Sequence, residues 1–167
     1  MVGFDATFLT FMFVPSAPST VDRARDRIEF LISDLHGRGE RIIIPTPALS
    51  EVLIKTGHAT KQIIHDLTHS PKFIIAPFEI RAALEVALMA RDAHRKGDKK
   101  GGASGTWAKV KYDRQIVAIT KVFGALTIYS EDEDLCKLAV ASGLKAVSVR
   151  DLSLPYPKYE GPGLFDK

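Results

Sequence analysis

Short apolar runs alternate along the chain with stretches of helical periodicity. Val2-Gly3-Phe4 reads as a first strand ending at Asp5, and the segment through Ser19 as the turn that follows it. Val21, Ala24, Ile28, Leu31, Ile32 and Leu35 recur on one helical face, with Ser19 or Thr20 as N-cap and Gly37 or Gly39 past the end. Ile42-Ile43-Ile44 is a continuous apolar run closed by Pro45, as a strand buried on both faces requires. Thr46-Pro47 opens a helix through Leu49, Val52, Leu53 and Ile54 that stops near Gly57. Ile63, Ile64 and Leu67 mark a second short helix, and Phe73-Ile74-Ile75 a strand ended by Pro77. Residues 79–95 form a long helix whose apolar positions are Ile80, Leu84, Ala87 and Leu88.

The helical pattern breaks at KGDKKGGASGT (96–106), a basic, glycine-rich insertion expected to be flexible. Helix resumes near Tyr112, through Ile116, Ile119, Val122 and Phe123, and Gly124 ends it. Leu126–Tyr129 is the next strand, Asp132–Ser142 a helix capped by Gly143, and Ala146–Val149 the last strand. Five strands separated by helices predict an α/β domain over residues 1–150 with a mainly parallel sheet. Residues 151–167, with Pro155, Pro157 and Pro162, are expected to be an irregular surface tail.

Composition narrows the setting. At 167 residues, with 46% hydrophobic and 26% charged positions, the chain is of globular type and not disordered throughout. Cys136 is its only cysteine, which excludes an intramolecular disulfide and suits a reducing compartment. No stretch reaches the ~20 apolar residues of a membrane span. The opening residues lack the basic start of a signal peptide, so a cytoplasmic location is expected. The net charge is only +3, but residues 91–114 carry +5 of their own, leaving the remainder slightly acidic. A local basic segment on such a body suggests contact with a polyanion.

The acids supply the chemistry. In parallel α/β sheets, sites form outside the carboxyl ends of the strands. Asp5 follows the first strand, Glu51 lies one turn into the helix after the second, and Asp132 and Asp134 follow the fourth. Asp113 begins a helix running antiparallel to the strands, which places it at the same edge. Such a cluster repels itself and calls for a compensating cation. Hard cations prefer oxygen ligands, and a carboxylate site facing a basic segment suits phosphodiester hydrolysis.

In this order, Asp5-Ala6-Thr7-Phe8-Leu9, IIIPTPALSEVL (42–53), Asp113-Arg114-Gln115-Ile116-Val117-Ala118 and Ser130-Glu131-Asp132-Glu133-Asp134-Leu135 resemble the PIN-domain ribonucleases. Among these, the VapC-type toxins of bacterial toxin–antitoxin pairs look nearest. The resemblance implies a PIN-like three-layer sandwich, a five-stranded mainly parallel sheet flanked by helices, and metal-dependent cleavage of RNA. It implies Asp5, Glu51, Asp113 and Asp132 as catalytic residues, and Asp5, Asp113, Asp132 and Asp134 as ligands of Mg²⁺ or Mn²⁺. Thr7 and Ser130 occupy supporting positions. Lys96, Lys99, Lys100, Lys109 and Lys111 are the residues expected to contact RNA. An antitoxin protein and a second copy of the chain are the candidate protein partners. The basic insertion and the proline-rich tail make the chain longer than a compact toxin.

Other readings compete with this one. A noncatalytic module of the same fold would bind RNA or a protein, although an anionic cleft adds nothing to RNA binding alone. His65 and His69 stand at i, i+4 as in zinc-protease helices, but Asp66 is short for a base and no third ligand is evident. A phosphoaspartyl receiver would need paired acids at the first strand end, which are absent. Trp107 reads as a loop anchor, Cys136 as a small core residue, and Phe4, Phe8, Phe11 and Phe13 as core or dimer contacts.

Overall fold

The structure, a computed structural model, describes residues 1–155. Five strands, β1 (Val2–Phe4), β2 (Ile42–Pro45), β3 (Phe73–Ala76), β4 (Thr127–Tyr129) and β5 (Lys145–Val147), form one sheet in the order β3-β2-β1-β4-β5. All four pairings are parallel. The helices are α1 (Ala6–Phe13), α2 (Ala24–Gly37), α3 (Thr46–Thr56), α4 (Thr60–His69), α5 (Ile80–Arg95), α6 (Trp107–Val122) and α7 (Glu133–Ala141). The architecture is the expected α/β sandwich, a five-stranded sheet flanked by helices, with the sheet wholly rather than mainly parallel.

Strands β2 and β3 feed both layers. Phe4, Ile42, Ile44 and Ile128 join Phe8, Leu9, Ile28 and Leu35 in the larger core on one face. Ile43 points the other way, onto Ala82 of α5 and Ala118 and Ile119 of α6. Double-sided burial explains the unbroken Ile42-Ile43-Ile44 run. Gly3, in the central strand, is dictated by close approach, because a Cβ there would lie 2.4 Å from Thr120 Cγ2 of α6.

Four elements depart from expectation, one of them α6, which starts at Trp107 rather than near Tyr112, so that Asp113 lies in its second turn instead of beginning it. The segment after β1 is helix, not turn: Asp5 caps α1, and ATFLTFMF shows no polar stripe because Phe8, Leu9 and Met12 are buried while Phe11 and Phe13 pack partly against the core. α2 begins only at Ala24, after Arg23 in the left-handed conformation (φ 51°), so neither Ser19 nor Thr20 caps it. In α5 the inward residues are Ala82 and Ala93, whereas Ile80, Leu84 and Leu88 stand exposed. Val86 and Met89 complete that inward face, partly buried against the second core, while the Ile80-Leu84-Leu88 stripe faces outward.

The insertion at 96–106 folds back on itself. Asp98 accepts from the Lys100 and Gly102 amides at 2.9 and 2.6 Å, and Lys100 Nζ donates to the Gly105 carbonyl at 2.8 Å. Of the tail, residues 149–151 form a short 3₁₀ turn, and Arg27 and Arg23 of the α2 region donate to the Leu152 and Pro155 carbonyls. The expectation for residues 156–167 lies outside the described residues. Among the described residues no helix is long and apolar enough to cross a membrane.

Candidate active site

The strand order reverses beside β1: β2 and β3 lie on one side and β4 and β5 on the other. A crevice opens outside the carboxyl ends of strands at such a point. Asp5 leaves β1 into it, and Ser130-Glu131-Asp132 leaves β4 into it. A cavity of about 330 Å³ lies there, lined by Asp5, Thr7, Glu51, Lys109, Asp113 and Asp132, with Ile54, Tyr112, Ile116 and Leu135 as apolar wall. Four acids expected from four separate segments therefore share one cavity.

Asp5 is 2% exposed and fully engaged. Its Oδ1 accepts from the Thr7 and Phe8 amides at 2.9 and 3.0 Å, capping α1, and from Thr7 Oγ1 at 2.7 Å. Ser130 Oγ donates to Oδ2 at 2.5 Å. The two hydroxyls then act as acceptors: Ser130 Oγ from the Asp132 amide and Thr7 Oγ1 from the Glu131 amide, both at 2.9 Å. Thr7 and Ser130 thus tie Asp5 to the loop after β4. Burial pushes the Asp5 carboxyl up to about 6, against the downward pull of hydrogen bonds from Ser130, Phe8 and Thr7.

Asp132 caps α7 through Oδ1, which accepts from the Asp134 and Leu135 amides at 3.0 and 3.1 Å. Its Oδ2 faces Lys109 Nζ at 2.8 Å, and Asp113 Oδ2 meets the same ammonium at 2.8 Å. Lys109, expected among the RNA-contacting lysines, instead sits inside the acid cavity as a bridge between two carboxylates. Partial burial pulls its ammonium down, but hydrogen bonds and charge from Asp113 and Asp132 outweigh this and hold it above the usual lysine range. Burial raises the Asp113 carboxyl, with Lys109 opposing. Glu51, on exposed α3 surface, is raised by partial desolvation and then by the charge of Asp113.

Asp134 turns elsewhere. Its Oδ2 accepts from the Ser104 amide, Ser104 Oγ and the Gly105 amide, each at 3.0 Å, so this carboxylate pins the basic insertion to α7. Those amides hold it below the ordinary carboxylate range. The other lysines lie outside the cavity. Lys96 is exposed, Lys99 and Lys111 stand 5.6 and 5.7 Å from the Trp107 ring, and Lys100 is spent on the loop. Arg114, which sequence reasoning passed over, is almost fully buried one residue beyond Asp113; its adjacency to Asp113 was the only available signal. Cys136 is half-buried rather than core, with Sγ 3.6 Å from the Ser130 carbonyl. His65 and His69 stack on each other at 4.1 Å on an exposed face.

The donors in the cavity are all oxygens, the chemistry of a hard divalent cation. The Lys109 ammonium already occupies a cation's position between Asp113 and Asp132, which indicates that the pocket between them suits positive charge. Among the described residues, no three His, Cys, Asp or Glu side chains gather around a single point in this arrangement. The donor set is thus of the oxygen type a hard cation takes, while in this arrangement Lys109 Nζ fills the space between Asp113 and Asp132.

Comparison with protein-family models and with curated proteins finds no match. Solved structures do match: a chain in the crystal structure of VapBC2 from Rickettsia felis bound to a DNA fragment from its promoter superposes with a TM-score of 0.60. The match covers 89% of this chain and 98% of that one at 12% sequence identity. At that identity the likeness speaks for the fold.

Proposed function

We propose that the protein is a metal-dependent endoribonuclease of PIN type, acting as the toxin of a toxin–antitoxin pair. The observation that supports this most is the convergence of Asp5, Glu51, Asp113 and Asp132 on one cavity at the reversal point of a PIN-like sheet. The neighbour's presence in a VapBC2 assembly supports an antitoxin as partner, and a cytoplasmic setting follows from that role.

Asp5, Asp113 and Asp132 would hold Mg²⁺ or Mn²⁺, with Asp134 left only its Oδ1 to offer because Oδ2 is held by Ser104 and Gly105. Bound there, the ion supplies Lewis-acid polarisation of a phosphoryl oxygen and lowers the pKa of a water. The chain itself does the positioning. Thr7 and Ser130 fix the Asp5 carboxylate so that it needs no reorganisation during the reaction. Glu51, the most solvent-facing acid and raised above its ordinary range, is placed to take a proton from water at the cavity mouth. Lys96, Lys99 and Lys111 contact the RNA backbone outside the cavity.

The test is cleavage of a defined RNA set, including tRNA and single strands, in EDTA, Mg²⁺ and Mn²⁺, beside Asp113→Asn protein. Metal-dependent cutting lost in the variant is the expected result; equal cutting by both proteins refutes the site. A second reading, a noncatalytic module that binds RNA or a protein partner, is favoured by one observation. Lys109 already pairs with two of the four acids and offsets one of their two charges, which lessens the cavity's need for an added ion. Absence of both metal binding and cleavage would select it.

A further inference from the structure

A second cavity, of about 580 Å³, lies on the other side of α6, between the second half of α5, the start of the basic insertion and the end of α7. Arg91, Arg95, Lys96, Arg114 and Lys121 line it, against Glu85, Asp92 and Asp98. Most of the acids are already committed. Asp92 pairs with Arg95, Glu85 takes Lys121 at 2.6 Å, and Asp98 is turned onto the Lys100 and Gly102 amides. Among the described residues, Arg91, Lys96 and Arg114 have no carboxylate within ion-pair distance.

Arg114 makes this imbalance significant. It is 2% exposed, its Nε has no hydrogen-bond partner, and its Nη2 donates only to the Lys99 carbonyl at 2.5 Å. A guanidinium does not escape burial by losing its proton, so an unpaired buried arginine is a standing electrostatic cost. The Trp107 ring at 5.3 Å offsets part of it, but Lys99 and Lys111 crowd the same ring. Burial pulls the guanidinium below its ordinary value, with Asp98 the one acid opposing that pull.

We infer that this cavity is a phosphate-binding site, in which Arg114, Arg91 and Lys96 take the oxygens of a phosphate group. Arginine's planar fork matches two phosphate oxygens at once. A volume of this size also admits what the phosphate is attached to. The phosphate comes either from a free phosphate or phosphomonoester, or from a strand of RNA lying across α6. The site is separate from the acid cavity and does not depend on that cavity cutting anything.

The probe is inorganic phosphate, titrated into the full chain against chloride at matched ionic strength and followed by melting temperature and ³¹P line width. Wild type is expected to melt several degrees higher in phosphate, as ligand binding to the native state requires. Arg114→Met removes the unpaired charge and should weaken the response by roughly tenfold or more in apparent affinity. Arg91→Ala with Lys96→Ala, both at exposed positions, should weaken it without touching the buried core. Equal melting in phosphate and chloride overturns the inference, as does a response that survives in both variants. A second arm uses a short single-stranded RNA with Asp113→Asn protein. RNA that displaces phosphate and depends on Arg114 identifies a strand as the source, and phosphate binding unmoved by RNA identifies a small phosphate.

Discussion

Replacing Asp5 by Asn should make the protein more stable at neutral pH while abolishing its proposed activity. The folded carboxyl titrates at about 6 against an ordinary value of 3.8, a gap of about 2 units. At 1.36 kcal/mol per unit, keeping Asp5 ionised costs about 3 kcal/mol of folding stability above pH 6. The direction follows from proton binding. Between pH 6 and 4 the folded chain holds a proton at Asp5 that the unfolded chain lacks, so this group's contribution improves as pH falls through 6 and levels off below 3.8. Asn mimics the protonated state at every pH. Its carbonyl can still accept from the Thr7 and Phe8 amides, and its amide can donate to Ser130 Oγ, which has a second lone pair beside the one used by the Asp132 amide. Some geometry is lost in that reversal, so a gain of about 1–3 kcal/mol at pH 7.5 is expected, or roughly 2–4 °C of melting temperature for each kcal/mol. Thermal melts of wild type and Asp5→Asn from pH 4 to 8 isolate the group, because other titrating acids cancel in the difference. A difference that stays flat across pH 4–7, or an Asn variant less stable at pH 7.5 than at pH 4 relative to wild type, refutes the burial argument.

Lys109→Met removes two charge-assisted hydrogen bonds of 2.8 Å from a side chain 38% exposed, so after allowance for solvent screening it should cost about 1–2 kcal/mol in urea unfolding. The same variant should gain more melting temperature from Mn²⁺ than wild type does, and equal gains would show that Lys109 does not hold a metal's place. Gly3→Ala drives a methyl to 2.4 Å from Thr120 Cγ2 and should cost about 1–3 kcal/mol, with Thr120→Ala in the same chain recovering most of it. Additive losses in the double variant would contradict that contact. Asp134→Ala frees the Ser104 and Gly105 amides and should speed trypsin cleavage after Lys96, Lys99 or Lys100, with little change in the global unfolding midpoint.

The strands were legible because burial on both faces leaves an unmistakable run, and Ile42-Ile43-Ile44 sends alternate side chains into two different cores. The helices that misled did so for the opposite reason, since their patterns do not follow burial simply. α1 packs on more than one side, so ATFLTFMF carries no amphipathic period, and its one clear start signal, Asp5, served equally well as the acid ending β1. In α5, Ile80, Leu84 and Leu88 repeat every four residues as an inward face would, yet Ala82 and Ala93 are the buried positions. Two apolar faces run along this helix, and Ile and Leu on the outward one outweigh in hydropathy the Ala82, Val86, Met89 and Ala93 that pack inward.

The acid site shows a different gap between sequence and structure. Order and strand context were enough to bring Asp5, Glu51, Asp113 and Asp132 to one edge, because topology alone decides that. Which charge compensates which depends on side-chain reach. Lys109 and Asp113, four residues apart, were a readable helical pair. The second bond to Asp132 exists only because α7 starts against α6, and that contact turns a surface lysine into the cation of the site. One residue after Asp113, about 100° around the helix, Arg114 lines the second cavity, where among the described residues no carboxylate stands within ion-pair distance of it. Neighbouring residues of α6 thus hold a carboxylate that shares the Lys109 cation with Asp132 and an arginine still lacking an ion-pair partner. The two cavities differ in what they lack, so metal and phosphate should act on the protein independently, each without altering the other's half-saturation by more than screening allows.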